Sequence, residues 1–261
     1  MLSIDLKYHD EKDQVSWRGK HVANVEEFKS FLSTDGVRNR LYDEEEHQDY
    51  EAELRALATT DMETDTIERL LSSEPEKISW EVGEALAESL LEEERGVTIP
   101  WNGERDKKTP KASLPGADIV GFINDGDDVY LMIGEVKTSN DSSTPPQVMY
   151  GKSGMNHQLE NLATNISIHN CLLQWLRPRC KEPTLEKLYQ AAVVTYLRSH
   201  GKAIKLIGML MRDTAPAESD LRSRGRKLAN KVTPPTDVEL DAWYFPVPIS
   251  AWVQCAKGGI T

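Results

Sequence analysis

This sequence lacks long apolar runs, clustered cysteines and an excess of basic residues, and each absence removes a class of protein. No stretch approaches the roughly 18 consecutive apolar residues of a transmembrane helix, so no membrane association is expected. The three cysteines, Cys171, Cys180 and Cys255, are odd in number and scattered. They make neither a C-x-x-C nor a Cys/His ligand spacing, which argues against a disulfide framework. The first residues carry acids and no apolar core segment, unlike a secretory signal, so the cytoplasm is the expected location. Aspartate and glutamate number 43 against 31 lysines and arginines, a formal net charge of -12. A passive, sequence-independent nucleic-acid coat would be basic. A metal-dependent nuclease survives that test, because bound cations offset acids locally and the charges are unevenly spread. Acids crowd the first hundred residues, whereas Arg222, Arg224, Arg226 and Lys227 form a dense basic segment. The local field, more than the net charge, decides where a phosphate backbone lies.

What is present is enough for a substantial core. At 261 residues and 39% hydrophobic, the chain suits one large domain, or a core domain with a smaller appended one. Residues 1–72 read as an N-terminal accessory or partner-binding region. One or two short strands fit its opening, though Gly19 and the charges blur the period. A helical stripe follows at Phe28, Phe31 and Leu32. A helix is expected from Asp61 or Asp65 to about Ser72, and a stronger one over 78–94, where Ile78, Val82, Leu86 and Leu90 recur every fourth position. Gly83 inside it costs about 1 kcal/mol against alanine, which suits a close approach or a late helix start. Beyond Lys137 a proline-containing loop leads to a helix with Leu159, Leu162 and Ile166 on one stripe. The β-branched and aromatic run 191–197 reads as a strand, as does AIKLIGMLM. The segment around Arg222 reads as a basic helix interrupted at Gly225. Helix, two strands, helix, two strands and a mixed end make an α/β architecture with a mixed central sheet flanked by helices.

The chemistry concentrates in residues 115–137, PGADIVGFINDGDDVYLMIGEVK. Asn124-Asp125-Gly126-Asp127-Asp128 is a tight reversal between two strands. Glu135 and Lys137, two apart, share a strand face, and antiparallel pairing brings Glu135 back toward Asp118. Paired carboxylates repel unless a hard cation binds them, and Mg²⁺ prefers such all-oxygen sites. A metal there polarises a phosphate and lowers the pKa of its water. Lys137 is placed to orient or deprotonate that water or to stabilise developing negative charge, and the Val136 carbonyl is a further candidate oxygen ligand. Glu84 and Glu88, one turn apart, either face solvent or turn Glu84 inward toward the metal. Gln158 offers both donor and acceptor to a water or a phosphate. Lys107, Lys108 and Lys111 suit phosphate contacts or a solvated loop.

These residues carry a resemblance. Gly116-Ala117-Asp118 followed by Gly134-Glu135-Val136-Lys137 resembles the bipartite signature of the PD-(D/E)xK restriction-endonuclease-like superfamily, with Gly116 and Ala117 between Pro115 and the aspartate. Glu84 matches the acid of that superfamily's first core helix, Asp118 the strand aspartate, Glu135 and Lys137 the second acid and the lysine, and Gln158 the glutamine many members carry. The resemblance covers roughly residues 78–210. It implies a restriction-endonuclease-like core within the 73–261 domain, Mg²⁺ or Mn²⁺ dependence and a DNA substrate. The Gly-Glu helix start and the N-terminal extension are similar to the Hachiman-type antiphage defence nuclease subunit. That similarity implies a helicase or other defence protein as partner, held by the N-terminal region. A homodimer would suit cutting both strands, although no helix shows a self-complementary seam. Two other readings stay open: a nuclease-fold DNA-binding scaffold without turnover, and a Mg²⁺-dependent phosphohydrolase acting on something other than nucleic acid.

Overall fold

The computed structural model describes residues 2–73, 76–107 and 116–258. The chain enters as a hairpin, β1 (Ile4–Lys12) and β2 (Val15–Val22). Four helices follow: α1 (Val25–Leu32), α2 (Asp35–Tyr42), α3 (Glu44–Leu57) and α4 (Asp61–Leu71). Next come α5 (Ser79–Arg95), β3 (Ile119–Asp125), β4 (Asp128–Ser139), α6 (Met155–Thr164), α7 (Ile166–Leu176), α8 (Pro183–Arg198), β5 (Ile204–Arg212), α9 (Arg222–Ala229), β6 (Asp237–Tyr244) and α10 (Trp252–Ala256). One six-stranded sheet runs in the order β1-β2-β6-β5-β4-β3. Its four inner strands are mutually parallel, and β1 and β3 close the two edges antiparallel. The fold is therefore α/β, with helices on both faces of a mixed sheet. Among the described residues no helix is long and apolar enough to cross a membrane.

Two cores result. On one face Phe28, Leu41, Leu86 and Trp252 from α1, α2, α5 and α10 pack with Met132 and Val136 of β4. On the other, Leu159, Leu172, Tyr196 and Leu228 from α6 to α9 pack with Leu131 and Ile133. Alternation along β4 thus sends Val136 to the α5 side and Glu135 and Lys137 to the α6 side.

Two features of the N-terminal region find their place in the sheet, and two sequence expectations change. The division expected at residue 72 is not a break in the sheet, because β2 pairs in parallel with β6. The ring of Phe28 also stacks on Phe245 at 4.5 Å. Helices α3 and α4 stand apart from the core, α3 burying no residue and α4 burying Ile67 among the described residues. The charges that blur the period of β2 are paired across the structure: Arg18 with Asp241 at 2.6 Å, and Lys20 with Glu94 at 2.7 Å and Asp241 at 3.2 Å. The run 191–197 is helical within α8, with Ala192 and Tyr196, one turn apart, buried against the sheet. Burial at helical spacing outweighs a strand propensity that spans only about 1 kcal/mol. Finally, α9 runs through Gly225, where a Cβ would fall 2.2 Å from the Trp17 ring, so the glycine is a contact point of helix on sheet and not an interruption.

Candidate functional site

The hairpin forms as its composition requires. Asp125 pairs with Asp128 across a two-residue turn, with Gly126 in the left-handed region at φ 62°, and Ile119 pairs with Gly134. That register brings the residue before Ile119 level with Glu135. The Asp118 carboxylate accepts the Val136 N–H at 2.8 Å. Lys137 donates to Glu135, so both project from one face of β4 as their spacing demands. Val136 contributes its amide here, as a support for Asp118.

Glu84 comes to Asp118 from the α5 layer. A Cβ on Gly83 would lie 1.9 Å from the Thr138 hydroxyl oxygen, so the glycine is what lets α5 lie against the end of β4. Glu84, Glu88 and Asp118 all line one small cleft together with Arg40, Glu81, Glu104 and Lys107. Gly83→Ala should therefore destabilise the protein. The roughly 1 kcal/mol gained in helix propensity is smaller than the ~1–3 kcal/mol of overpacking. Thr138→Ala, which removes a buried hydroxyl without a partner, should recover part of the loss in a urea-denaturation double-mutant cycle.

Carboxyl groups crowd this cleft, and Glu135 adjoins it through Asp118. Burial first, then Asp118, pushes Glu84 up to about 9, with Lys107 opposing. Burial and Asp118 push Glu135 up to about 8 against the pull of Lys137. Burial raises Glu88 to about 7 although Arg40 sits 3.1 Å from it. Each carboxyl binds its proton more tightly folded than unfolded, so stability should fall as pH rises from the ordinary carboxylate value toward 9. Thermal melting in a chelator from pH 5.5 to 9 should show that decline. Glu84→Gln or Glu135→Gln should flatten it, and Mg²⁺ should stabilise more at pH 9 than at pH 6.

The donor set is all oxygen and under-neutralised, which fits a hard divalent cation. Among the described residues, no group of three or more His, Cys, Asp or Glu side chains is assembled to hold a metal ion. Glu84, Asp118 and Glu135 are coupled through Asp118 but do not form a ready-made cage. Mg²⁺ commonly takes one or two carboxylates and completes its shell with water and substrate oxygens.

The remaining candidates divide. Gln158 lies on α6, over the face from which Glu135 and Lys137 project, and its amide oxygen is buried without a partner. Lys107 is not a solvated loop residue. It bonds Glu81 at 3.1 Å and also Glu104, and lies 5.2 Å from the Trp80 ring centre. Burial works against its charge, but Glu104 and Glu81 hold it above the ordinary lysine value. Lys108 and Lys111 lie outside the described residues. On α9, Arg222, Arg226 and Lys227 are exposed, and each faces an acid: Glu218 at 3.4 Å, Asp10 at 3.7 Å and Glu160 at 3.5 Å. Arg224 instead lies over the Tyr150 ring at 4.2 Å. This helix occupies the same face of the sheet as Glu135, on the far side of α6. Sequence reasoning missed Arg40, which reaches from α2 to both Glu88 and Glu92, since nothing local links residues 40 and 88. Glu81 had a detectable signal: it is the third residue of α5 and its carboxylate accepts the Ile78 N–H at 2.9 Å.

Scans of the chain against models of known families and against curated proteins match none.

Proposed function

We propose that this protein is a metal-dependent DNA endonuclease with a restriction-endonuclease-like core, hydrolysing phosphodiester bonds. The observation that carries the reading is the meeting of Asp118, just ahead of β3, with Glu135 and Lys137 of β4, and Glu84 of α5 lining the cleft at Asp118. Asp118 and Glu135 would hold Mg²⁺ or Mn²⁺, with Glu84 and the Val136 carbonyl as further oxygen donors. Such an ion supplies Lewis-acid polarisation of the phosphate and a more acidic water.

The chain's own groups supply the rest. Lys137, steadied by Glu135, presents an ammonium that orients a water and offsets charge developing on a phosphoryl oxygen. Asp118, fixed by the Val136 amide, is already aimed and loses little freedom on binding. Gln158 brings an unpaired amide oxygen that can accept a hydrogen bond from a water. Lys107, held between Glu81 and Glu104, keeps a cation at the wall of the cleft. The exposed cations of α9 provide an outer track for the backbone, exchanging their acid partners for phosphates with a strong salt dependence. By the sequence resemblance, the protein serves antiphage defence or restriction, beside a helicase or another defence protein or as a homodimer.

Cleavage of linear, nicked and supercoiled DNA in Mg²⁺ or Mn²⁺, lost in Glu135→Ala and Lys137→Ala while both remain folded, tests the reading. Turnover of small phosphoesters with DNA left intact would point to a different phosphohydrolase. Binding without turnover of any substrate would point to a scaffold.

A further inference from the structure

Beside the cleft at Asp118 lies a larger cavity of about 560 Å³ that the reaction proposed above leaves unused. Its apolar walls are Ile99 and Trp101 between α5 and β3, Val120 of β3, and Ile168, Leu172 and Trp175 of α7. The Arg179 guanidinium lies 4.4 Å from the Trp175 ring centre and 5.0 Å from that of Trp101. Asp106 holds that arrangement, pairing with Arg179 at 2.5 Å and accepting the Trp175 indole N–H at 2.8 Å. The charge of Arg179 is thereby balanced within the wall, as that of Glu88 is by Arg40. Glu88, Gly103, Ala117 and Asp118 line this cavity and the catalytic cleft alike.

An occupant must match three features. It must be largely apolar, because the walls are. It must profit from the two indole rings, which an aliphatic chain would not need. It must also be attached to something that belongs at Asp118. A nucleobase on a sugar-phosphate chain meets all three: every base has a π-face that stacks on aromatic and arginine planes, and its phosphodiester lies beside it. The volume falls within the usual range for small-molecule sites, roughly 300–1,000 Å³. A base stacked inside a duplex cannot enter such a pocket without leaving its neighbours.

We propose that this cavity receives one unpaired nucleobase of the strand whose phosphodiester lies at Asp118, making single-stranded DNA, or duplex with an unpaired base, the preferred substrate class. The inference rests on the nuclease reading, and its test separates the two. Cys171 lines the cavity and is exposed, Cys180 is buried and Cys255 is half-buried, so modification of Cys171 by a thiol reagent, read on its own peptide by mass spectrometry, reports occupancy without turnover.

The full chain, with metal chelated, is titrated with deoxyadenosine monophosphate, a single-stranded oligonucleotide and a fully paired duplex of equal length. Cys171 reactivity and tryptophan fluorescence are followed, and Mg²⁺-dependent cleavage of the two DNA forms is measured separately. The single strand should protect Cys171, quench fluorescence and bind about tenfold tighter than the duplex. Cys171→Trp, which fills the cavity from its exposed rim, should remove that preference and leave duplex binding unchanged. Equal affinity for both forms with Cys171 unprotected, alongside cleavage of both, overturns the base site and leaves the nuclease reading standing. Protection by the single strand without cleavage of any DNA keeps the base site and overturns the nuclease reading.

Discussion

Lys137→Ala is expected to slow Mg²⁺-dependent DNA cleavage by about 10²- to 10⁴-fold, with melting close to wild type. The range is that of a positioned proton donor or acceptor, or of one donor aimed at a developing charge. The lysine is half-buried and pairs with Glu135; once it is gone, Glu135, whose proton is already held up to about 8 by burial and Asp118, stays neutral and does not become a buried unpaired charge. Lys137→Arg separates the two roles, because arginine keeps the charge but does not give up its proton. Partial recovery in Lys137→Arg assigns the residue to charge stabilisation, and none assigns it to proton transfer. Glu135→Gln should lose activity to a similar degree while gaining stability in chelator above pH 8, since it removes a buried charge whose proton is held up to about 8. Single-turnover cleavage beside thermal melting measures both. Full activity in either variant would remove the hairpin from the chemistry.

The largest stability effect is expected at Asp220, just before α9. Asp220 and Arg212 form an ion pair at 2.8 Å with both side chains fully buried. Tyr244 donates a hydrogen bond to Asp220 at 2.9 Å, and Tyr8 and Tyr244 meet hydroxyl to hydroxyl at 2.9 Å. Arg212 also donates to the carbonyls of Asp141 and Ser143, so it ties down the loop that follows the Glu135–Lys137 strand. Asp220→Ala leaves the guanidinium buried without its counter-charge, which costs about 3–5 kcal/mol. That is a large part of the ~5–15 kcal/mol that holds a domain together. A paired replacement, Arg212→Met with Asp220→Leu, should recover much of the loss, because removing both charges also removes the desolvation penalty. Urea unfolding of the two single variants and the double variant checks this. A loss below about 1 kcal/mol in Asp220→Ala would show that water reaches the pair.

The local half of the site was legible in the sequence. Gly126 and its flanking acids demand a tight turn, and a strand period of two puts Glu135 and Lys137 on one face. A hairpin returns the chain to Asp118 whatever surrounds it. The helix carrying Glu84 was legible from its four-residue stripe, and Gly83 from its cost within that stripe. Long-range pairing was not. The charges of β2 look like interruptions until Asp241 and Glu94 are seen opposite Arg18 and Lys20. The run 191–197 looks like a strand until Ala192 and Tyr196 are found buried together on a helix.

By itself, then, the sequence determined the elements whose geometry is set within a few residues: the hairpin, the Glu-x-Lys face and the α5 stripe. The tertiary structure alone decided that β1 and β2 complete the sheet, that Arg40 and Lys107 face Glu88 and Glu81, and that Trp101, Trp175 and Arg179 wall a cavity beside Asp118. The physical reason is one of range. Backbone sterics and periodic burial act between neighbours and leave a pattern in the chain, whereas a charge or a ring finds its partner only after distant segments have packed.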